Sequence, residues 1–269
     1  MNYEAGIGST PEMSLRVSVA ALVRVVFQHP LEGERMLALE RKAYLSDNRV
    51  EVRCQPFGGA IRILDVDALR GLIGDFHFDS QRSRAEQDFR LFIRPSDWPV
   101  LRRFCIRHLS HAEDAVLETD PGRELMEEFA EALSVALQPE HFSVKPLATL
   151  VENEATPTGN IRAKEMNTVR VYRIFESVIA YPPLVNAIRK SSEDISDQRL
   201  GELALQDARQ GGNGRANAVL AVPLRAVTSA CLALPPQQRK FPIFFEGHCL
   251  EETVAAVLEG ITLPKYQRL

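Results

Sequence analysis

Three glutamates and an arginine are concentrated in one short segment, residues 123–128, which read RELMEE. On a helix, residues three and four positions apart are neighbours, so Glu124, Glu127 and Glu128 would share one stripe. Carboxylate oxygens are the ligands that Mg²⁺ and Mn²⁺ prefer, and Arg123 is placed to orient one of them. Such ions can hold a phosphate chain and generate a nucleophilic water. The segment therefore predicts a carboxylate metal site.

The competing interpretation is a solvated acidic helix face. Charged runs on amphipathic helices are usually exposed, and the opposite side of this helix carries Leu125, Phe129, Leu133 and Leu137, which would face a core. The order Arg-Glu-aliphatic-x-Glu-Glu is nevertheless rare in an average composition. The sequence alone leaves both interpretations open.

The elements around this segment predict how it is positioned. Asp120 is a suitable N-cap, Pro121 a favourable first helical residue, and Pro139 a stop. Upstream, a predicted strand over 36–41 ends in Arg41, and another over 50–54 runs into Gln55-Pro56-Phe57-Gly58-Gly59, which indicates a sharp turn.

Strands and helices alternate irregularly along the rest of the chain, which predicts a mixed α/β class. Further strands are expected over 16–27, 88–93, 142–151, 169–179 and 218–224. Further helices are expected over 64–76, 97–109, within 182–205, over 227–234 and over 248–260, with residues 77–87 as a loop.

The segment RELMEE resembles the core of the Nudix box, REUxEE, in which U is aliphatic, and Pro56-Phe57-Gly58-Gly59 resembles the turn that precedes that box. The resemblance to the Nudix hydrolase superfamily implies an α/β/α sandwich with a mixed sheet. We expect residues 1–14 to form a tail, residues 15–264 a single domain, and residues 265–269 a second tail.

The resemblance also implies roles for individual residues. Glu124, Glu127 and Glu128 would bind Mg²⁺ or Mn²⁺, and Arg123 would orient them. Gly58 and Gly59 would bring backbone close to the substrate. Independently of the resemblance, Arg41, Lys42 and Arg62 flank the proposed site and could either neutralise phosphates or be ordinary surface charges. A later carboxylate often completes such sites, and Glu152, Glu154 and Glu165 are the candidates.

Three departures from the family pattern bear on activity. Gly59 and Arg123 lie 64 positions apart where the family has about fourteen, so an insertion of about 50 residues, within 60–118, precedes the box helix. Ala115 stands where the family has a glutamate, and Ala130 where it has a glycine.

The layout is similar to the SMODS-associated Nudix group, which is linked to bacterial nucleotide second-messenger defence.

Composition narrows the functional classes. A formal net charge of −4 gives no support for general nucleic-acid or membrane binding. Four widely spaced cysteines and a start without a basic and apolar leader favour a cytoplasmic protein.

Two functions follow from the resemblance. One is a hydrolase of a nucleoside diphosphate linked to another group, and the other is a Nudix-fold module that binds or senses a nucleotide without turnover. A protein–protein role, including a homodimer, is a third alternative.

Overall fold

The structure is a computed structural model of the 269-residue chain. It describes residues 14–46, 49–111, 113–133, 135, 137–157, 167–238 and 240–269. The predicted site residue Glu165 lies outside these ranges, as does nearly all of the predicted N-terminal tail.

The strands are β1 (Leu15–Gln28), β2 (Arg35–Ser46), β3 (Arg49–Gln55), β4 (His77–Phe78), β5 (Arg90–Ile93), β6 (Phe142–Glu152), β7 (Thr156–Pro157), β8 (Asn167–Ile179), β9 (Arg215–Pro223), β10 (Ile243–Phe245), β11 (His248–Leu250) and β12 (Tyr266–Arg268). The helices are α1 (Val66–Ile73), α2 (Gln81–Glu86), α3 (Trp98–His108), α4 (Gly122–Leu133), α5 (Pro182–Asp194), α6 (Asp197–Arg209), α7 (Leu224–Leu232) and α8 (Glu252–Val257). The predicted mixed α/β class is confirmed. No helix in the described ranges combines the length and apolarity that crossing a bilayer requires.

The chain divides into two compact units. The larger comprises residues 21–59, 120–150 and 172–269, and the smaller comprises the remainder. The single domain expected for residues 15–264 stays a prediction.

The larger unit is built on a mixed sheet with strand order β10-β11-β3-β2-β1-β8-β6-β12, to which β1, β6 and β8 contribute parts of their length. Strand β2 is central because it pairs with β1 and β3 and also with β9. The sheet is mixed because β11 runs parallel to β3, whereas β2 is antiparallel to its partners. Glu40, Arg41 and Lys42 all lie on β2.

Apolar residues on β2 and β9 form the centre of this unit. Leu37 and Leu39 are fully buried and pack with Leu220 and Val222 of β9, which pair across the two strands. Small residues such as Ala43 and Ala204 form a second cluster where α6 lies against β2. Strand β2 is therefore held firmly on both sides.

The smaller unit contains α1, α2 and α3 together with β4, β5 and the beginning of β1. Within this unit, Asp88 and Arg90 form an ion pair at 3.2 Å. An antiparallel bridge between Ile63 and Leu117 joins the two ends of its 60–119 segment.

Three sequence-based expectations about elements were wrong. The expected loop over 77–87 contains β4 and α2, and the helix expected over 248–260 is β11 followed by the short α8. The expected C-terminal tail includes β12, in which Tyr266 is buried, and Leu269 exchanges two backbone hydrogen bonds with Thr149. Pairing with a strand far away in sequence accounts for two of these differences, since β11 pairs with β3 and Leu269 with Thr149, whereas β4 pairs with the nearby β5.

Candidate functional site

Helix α4 is oriented as the sequence predicts, but it begins at Gly122, one residue after the predicted first helical residue Pro121. Asp120 Oδ1 accepts a hydrogen bond from the Gly122 amide at 2.8 Å, which satisfies one of the amides that a helix start leaves unpaired. Leu125 and Phe129 are fully buried, and Leu133 is half-buried. The helix therefore fixes its apolar side in the core and turns its carboxylates away from it.

The Gly58-Gly59 turn lies directly against this helix. The rings of Phe57 and Phe129 are stacked, with centroids 4.4 Å apart and planes 7° from parallel. The Gly58 amide donates to Glu128 Oε2 at 2.5 Å. A Cβ at Gly59 would lie 1.9 Å from Glu124 Oε2. The turn and the helix, whose motifs lie 64 positions apart in sequence, are therefore in contact.

Strand β1 holds the turn from its other side. The Val23 amide donates to the Phe57 carbonyl at 2.8 Å, and the Ala21 amide donates to the Gly59 carbonyl at 2.9 Å. Gly58 has φ of +125°, and a Cβ there would lie 2.1 Å from the Ala21 carbonyl oxygen. Glycine is therefore required at Gly58 by backbone conformation and by space.

The carboxylates of the predicted stripe divide into two environments. The side chains of Glu124 and Glu128 are only 19% and 11% exposed, and both contact the turn. The side chain of Glu127 is 58% exposed and pairs with Arg123 at 3.2 Å. Arg123 also contacts Glu124 Oε1 at 2.7 Å, so it orients two of the three carboxylates. Glu127 does not join the other two against the turn.

Two residues of β2 join the cluster. The sequence indicates Lys42 only as a possible phosphate-neutralising cation and gives Glu40 no role. The side chain of Glu40 is fully buried, and its Oε2 lies 2.7 Å from Lys42 Nζ. The same Nζ lies 3.4 Å from Glu128 Oε1. Gln55, which faces Glu40 in the strand register, donates to Glu40 Oε2 at 3.0 Å. The sequence pattern that indicates their proximity is the alternation of side chains along a strand, which places Glu40 and Lys42 on one face.

Burial and charge shift the pKa values of this cluster. Burial, with a contribution from the negative charge of Glu40, raises the pKa of Glu128 well above the ordinary value. Burial lowers the pKa of Lys42, but the charges of Glu40 and Glu128 outweigh it, so the Lys42 pKa is raised. Lys42 is thus held in its charged form by the two carboxylates.

Arg41 lies away from this cluster, on the other face of β2. Its side chain is 1% exposed, and the guanidinium pairs with Asp197 at 3.0 Å and donates to the carbonyls of Ser191 and Ile195. These contacts tie β2 to α5 and α6. The predicted substrate-binding role of Arg41 therefore has no support in its position, and Lys42 is the β2 cation that contacts the carboxylates.

The remaining predicted residues belong to the smaller unit. Arg62 Nε donates to the Glu86 carbonyl at 3.1 Å. Glu152, at the end of β6, is buried and pairs with Arg170 at 3.1 Å, whereas Glu154 is exposed. The carboxylate of Glu152 therefore has its ion-pair partner within the smaller unit.

A cavity of about 490 Å³ in the larger unit is lined mainly by apolar side chains, among them Val26, Phe27, Ile179 and Val185, with Arg35 as its cation. The residues that line it include no carboxylate. The carboxylate cluster and this cavity are separate features.

Within the described ranges, no group of three or more His, Cys, Asp or Glu side chains is arranged to hold a metal ion. Comparisons of the chain with protein-family models, with curated proteins and with solved structures found no match.

Proposed function

We propose that this protein is a Nudix-type hydrolase that binds Mg²⁺ or Mn²⁺ and cleaves a nucleoside diphosphate linked to another group. The observation that carries the proposal is the contact of Gly58 and Gly59 with Glu128 and Glu124. These residues belong to two sequence motifs 64 positions apart, and a solvated acidic face gives no reason for the two motifs to meet. In this proposal, α4 is the box helix and residues 60–118 are the insertion.

The donor set fits a hard divalent cation. The side chains of Glu40, Glu124 and Glu128 offer only carboxylate oxygens, which such ions prefer. Glu40 Oε1 is buried and accepts no hydrogen bond from any described residue, which leaves one acceptor available. Glu124 and Glu128 would hold the ion. When bound, it would neutralise phosphate oxygens and lower the pKa of a coordinated water.

The protein's own residues fix the geometry of this chemistry. Arg123 restrains Glu124 through its 2.7 Å contact, and the Gly58 amide restrains Glu128 Oε2. Without a side chain, Gly59 leaves room for Glu124 beside the backbone. Lys42, 27% exposed, supplies a positive charge next to the carboxylates for a phosphate oxygen.

The binding module without turnover is the second candidate, and one observation favours it. Glu127 faces solvent, and the cluster already contains the ammonium of Lys42. A protein that holds a nucleotide by charge alone would need no further cation. The buried Glu40 Oε1 favours the hydrolase instead.

Turnover tests the proposal. The purified protein is incubated with Mg²⁺ or Mn²⁺ and with nucleotide sugars, dinucleoside polyphosphates, ADP-ribose, nucleoside triphosphates and cyclic oligonucleotides. We expect release of a nucleoside monophosphate from a diphosphate substrate, and its loss in Glu124→Gln/Glu128→Gln. Glu131→Gln is the matched control because Glu131 lies on the same helix and is exposed. Nucleotide binding without turnover would replace the hydrolase with the binding module.

Thermal melting tests the metal separately. A divalent ion at a hundredfold excess over its dissociation constant stabilises the native state by about 2.7 kcal/mol. We expect Mn²⁺ to raise the melting temperature of wild type and of Glu131→Gln, but not of Glu124→Gln/Glu128→Gln. Equal shifts in all three proteins, reproduced by Na⁺ at matched ionic strength, would remove the metal site.

A further inference from the structure

The ammonium of Lys42 lies between two carboxylates that come from different elements. Its Nζ is 2.7 Å from Glu40 Oε2 on β2 and 3.4 Å from Glu128 Oε1 on α4. Glu40 is fully buried and Glu128 nearly so, and charges in such positions are costly unless they are paired. One lysine therefore compensates two buried carboxylates.

The backbone around β2 holds this arrangement in place. Glu40 and Lys42 share one face because side chains alternate along a strand, and Arg41 between them is fixed on the other face by Asp197. Gln55 holds Glu40 Oε2 from the neighbouring strand. The Lys42 side chain extends from a strand that is paired on both sides, so its backbone is fixed and the positions that its ammonium can occupy are limited.

The two contacts of Lys42 are unequal, and one ammonium serves both carboxylates. The separation from Glu40 is that of a close ion pair, whereas the separation from Glu128 is 0.7 Å longer. Glu40 and Glu128 share the ammonium of Lys42, whereas Arg123 contacts Glu124 and Glu127. The cluster can therefore accept more positive charge, and Glu128 is the carboxylate from which Lys42 is more easily displaced.

We propose that Lys42 is a built-in competitor of the divalent cation for Glu128, and that binding of the ion leaves the ammonium paired with Glu40 and directed at a substrate phosphate. This inference rests on the proposed metal site. Lys42 is then a positioning residue that limits divalent-ion affinity in the free protein.

The affinity for Mn²⁺ in the absence of substrate tests the proposal, measured by isothermal titration calorimetry. Lys42→Met keeps an unbranched side chain, one heavy atom shorter, and removes its charge. Lys190→Met is the matched control because it removes the same charge from an exposed position on α5. We expect Lys42→Met to bind Mn²⁺ about tenfold more tightly than wild type, within the range of typical coupling between two sites, and Lys190→Met to match wild type.

A second variant covers the case in which Lys42→Met does not fold. Lys42→Gln also removes the charge, and its side-chain amide can still donate a hydrogen bond to Glu40. It should also bind Mn²⁺ more tightly than wild type. Affinity equal to or weaker than wild type in the folded variants would overturn the role of Lys42 and keep the metal site. Failure of wild type and of every variant to bind Mn²⁺ would remove the metal site and this inference together.

Discussion

At the scale of single residues, the buried position of Glu128 has an energetic consequence. A carboxyl whose pKa is raised by folding binds its proton more tightly in the native state than in the unfolded chain. Below its ordinary pKa of about 4.5 the group is protonated in both states and does not lower the stability. As the pH rises above that value, the unfolded chain releases the proton more readily than the native state, so the free energy of unfolding falls. The site is maintained against this cost by Lys42 and by the Gly58 amide.

Glu128→Gln should remove this pH dependence. Glutamine keeps an acceptor for the Gly58 amide and cannot ionise. Without divalent ions, we expect the free energy of unfolding of the variant to increase relative to wild type as the pH rises from about 4.5 towards neutrality. Urea denaturation at a series of pH values measures the difference, in which titrations common to both proteins largely cancel. A difference that does not vary with pH, or that favours wild type at higher pH, would contradict the effect.

At the scale of elements, part of the site could be predicted because its determinants are local. The four-residue spacing of Leu125 and Phe129 predicts which side of α4 faces the core, and the Gly58-Gly59 pair indicates a turn. The contact of Glu40 with Lys42 and Glu128 depends on the pairing of β2 with β3 and on the packing of α4, which no local pattern specifies. The different environment of Glu127 has the same cause, since burial within a helix stripe depends on what packs against it.

Alanine at the two glycines of the turn should have opposite outcomes. At Gly58 the side chain would meet the Ala21 backbone at a positive φ, so we expect Gly58→Ala to lose about 1–3 kcal/mol from backbone conformation alone, and more from the clash. At Gly59 the new methyl would meet the end of the Glu124 side chain, which can rotate away. We expect Gly59→Ala to unfold near the wild-type midpoint and to bind Mn²⁺ more weakly.

Chemical denaturation and Mn²⁺ titration of both variants measure these effects. If Gly59→Ala is stable and binds Mn²⁺ more weakly, Gly59 is required for the site and not for the stability of the fold. The reverse pattern, with Gly59→Ala unfolded and Gly58→Ala stable, would mean that the turn is held differently from the contacts described above.

At the scale of the whole molecule, a second buried carboxylate has the opposite effect on stability. Glu176 is 1% exposed and contacts Arg24 and Arg35 at 2.6 Å and Lys145 at 2.8 Å. Burial alone raises the pKa of Glu176, but these cations outweigh it and lower the pKa. The group therefore contributes stability that is present above its ordinary pKa of about 4.5 and is lost as the pH falls below it.

Glu176→Gln should destabilise the protein by about 3–5 kcal/mol at neutral pH, because Arg24 is 2% exposed and would lose its buried partner. Glu193→Gln is the control, since Glu193 is exposed and pairs with Arg189 on the same helix. Denaturation at neutral and acidic pH should show the gap between wild type and Glu176→Gln narrowing as the pH falls. A gap as small as that of Glu193→Gln would show that the remaining contacts of Arg24 compensate for the loss.

The bridge between Ile63 and Leu117 has a consequence for chain entropy. For a flexible loop, lengthening the connection between turn and helix from about 14 to 64 residues would cost about 1.3 kcal/mol. Here the Glu118 amide donates to the Arg62 carbonyl and the Leu64 amide to the Val116 carbonyl, so the long segment is closed at its base by its own hydrogen bonds. Once these hydrogen bonds form, the loop that still has to be closed between Gly59 and Arg123 consists of only the few residues on each side of the base. A segment of this kind can grow or shrink beyond the bridge with little effect on the assembly of the two motifs that flank it.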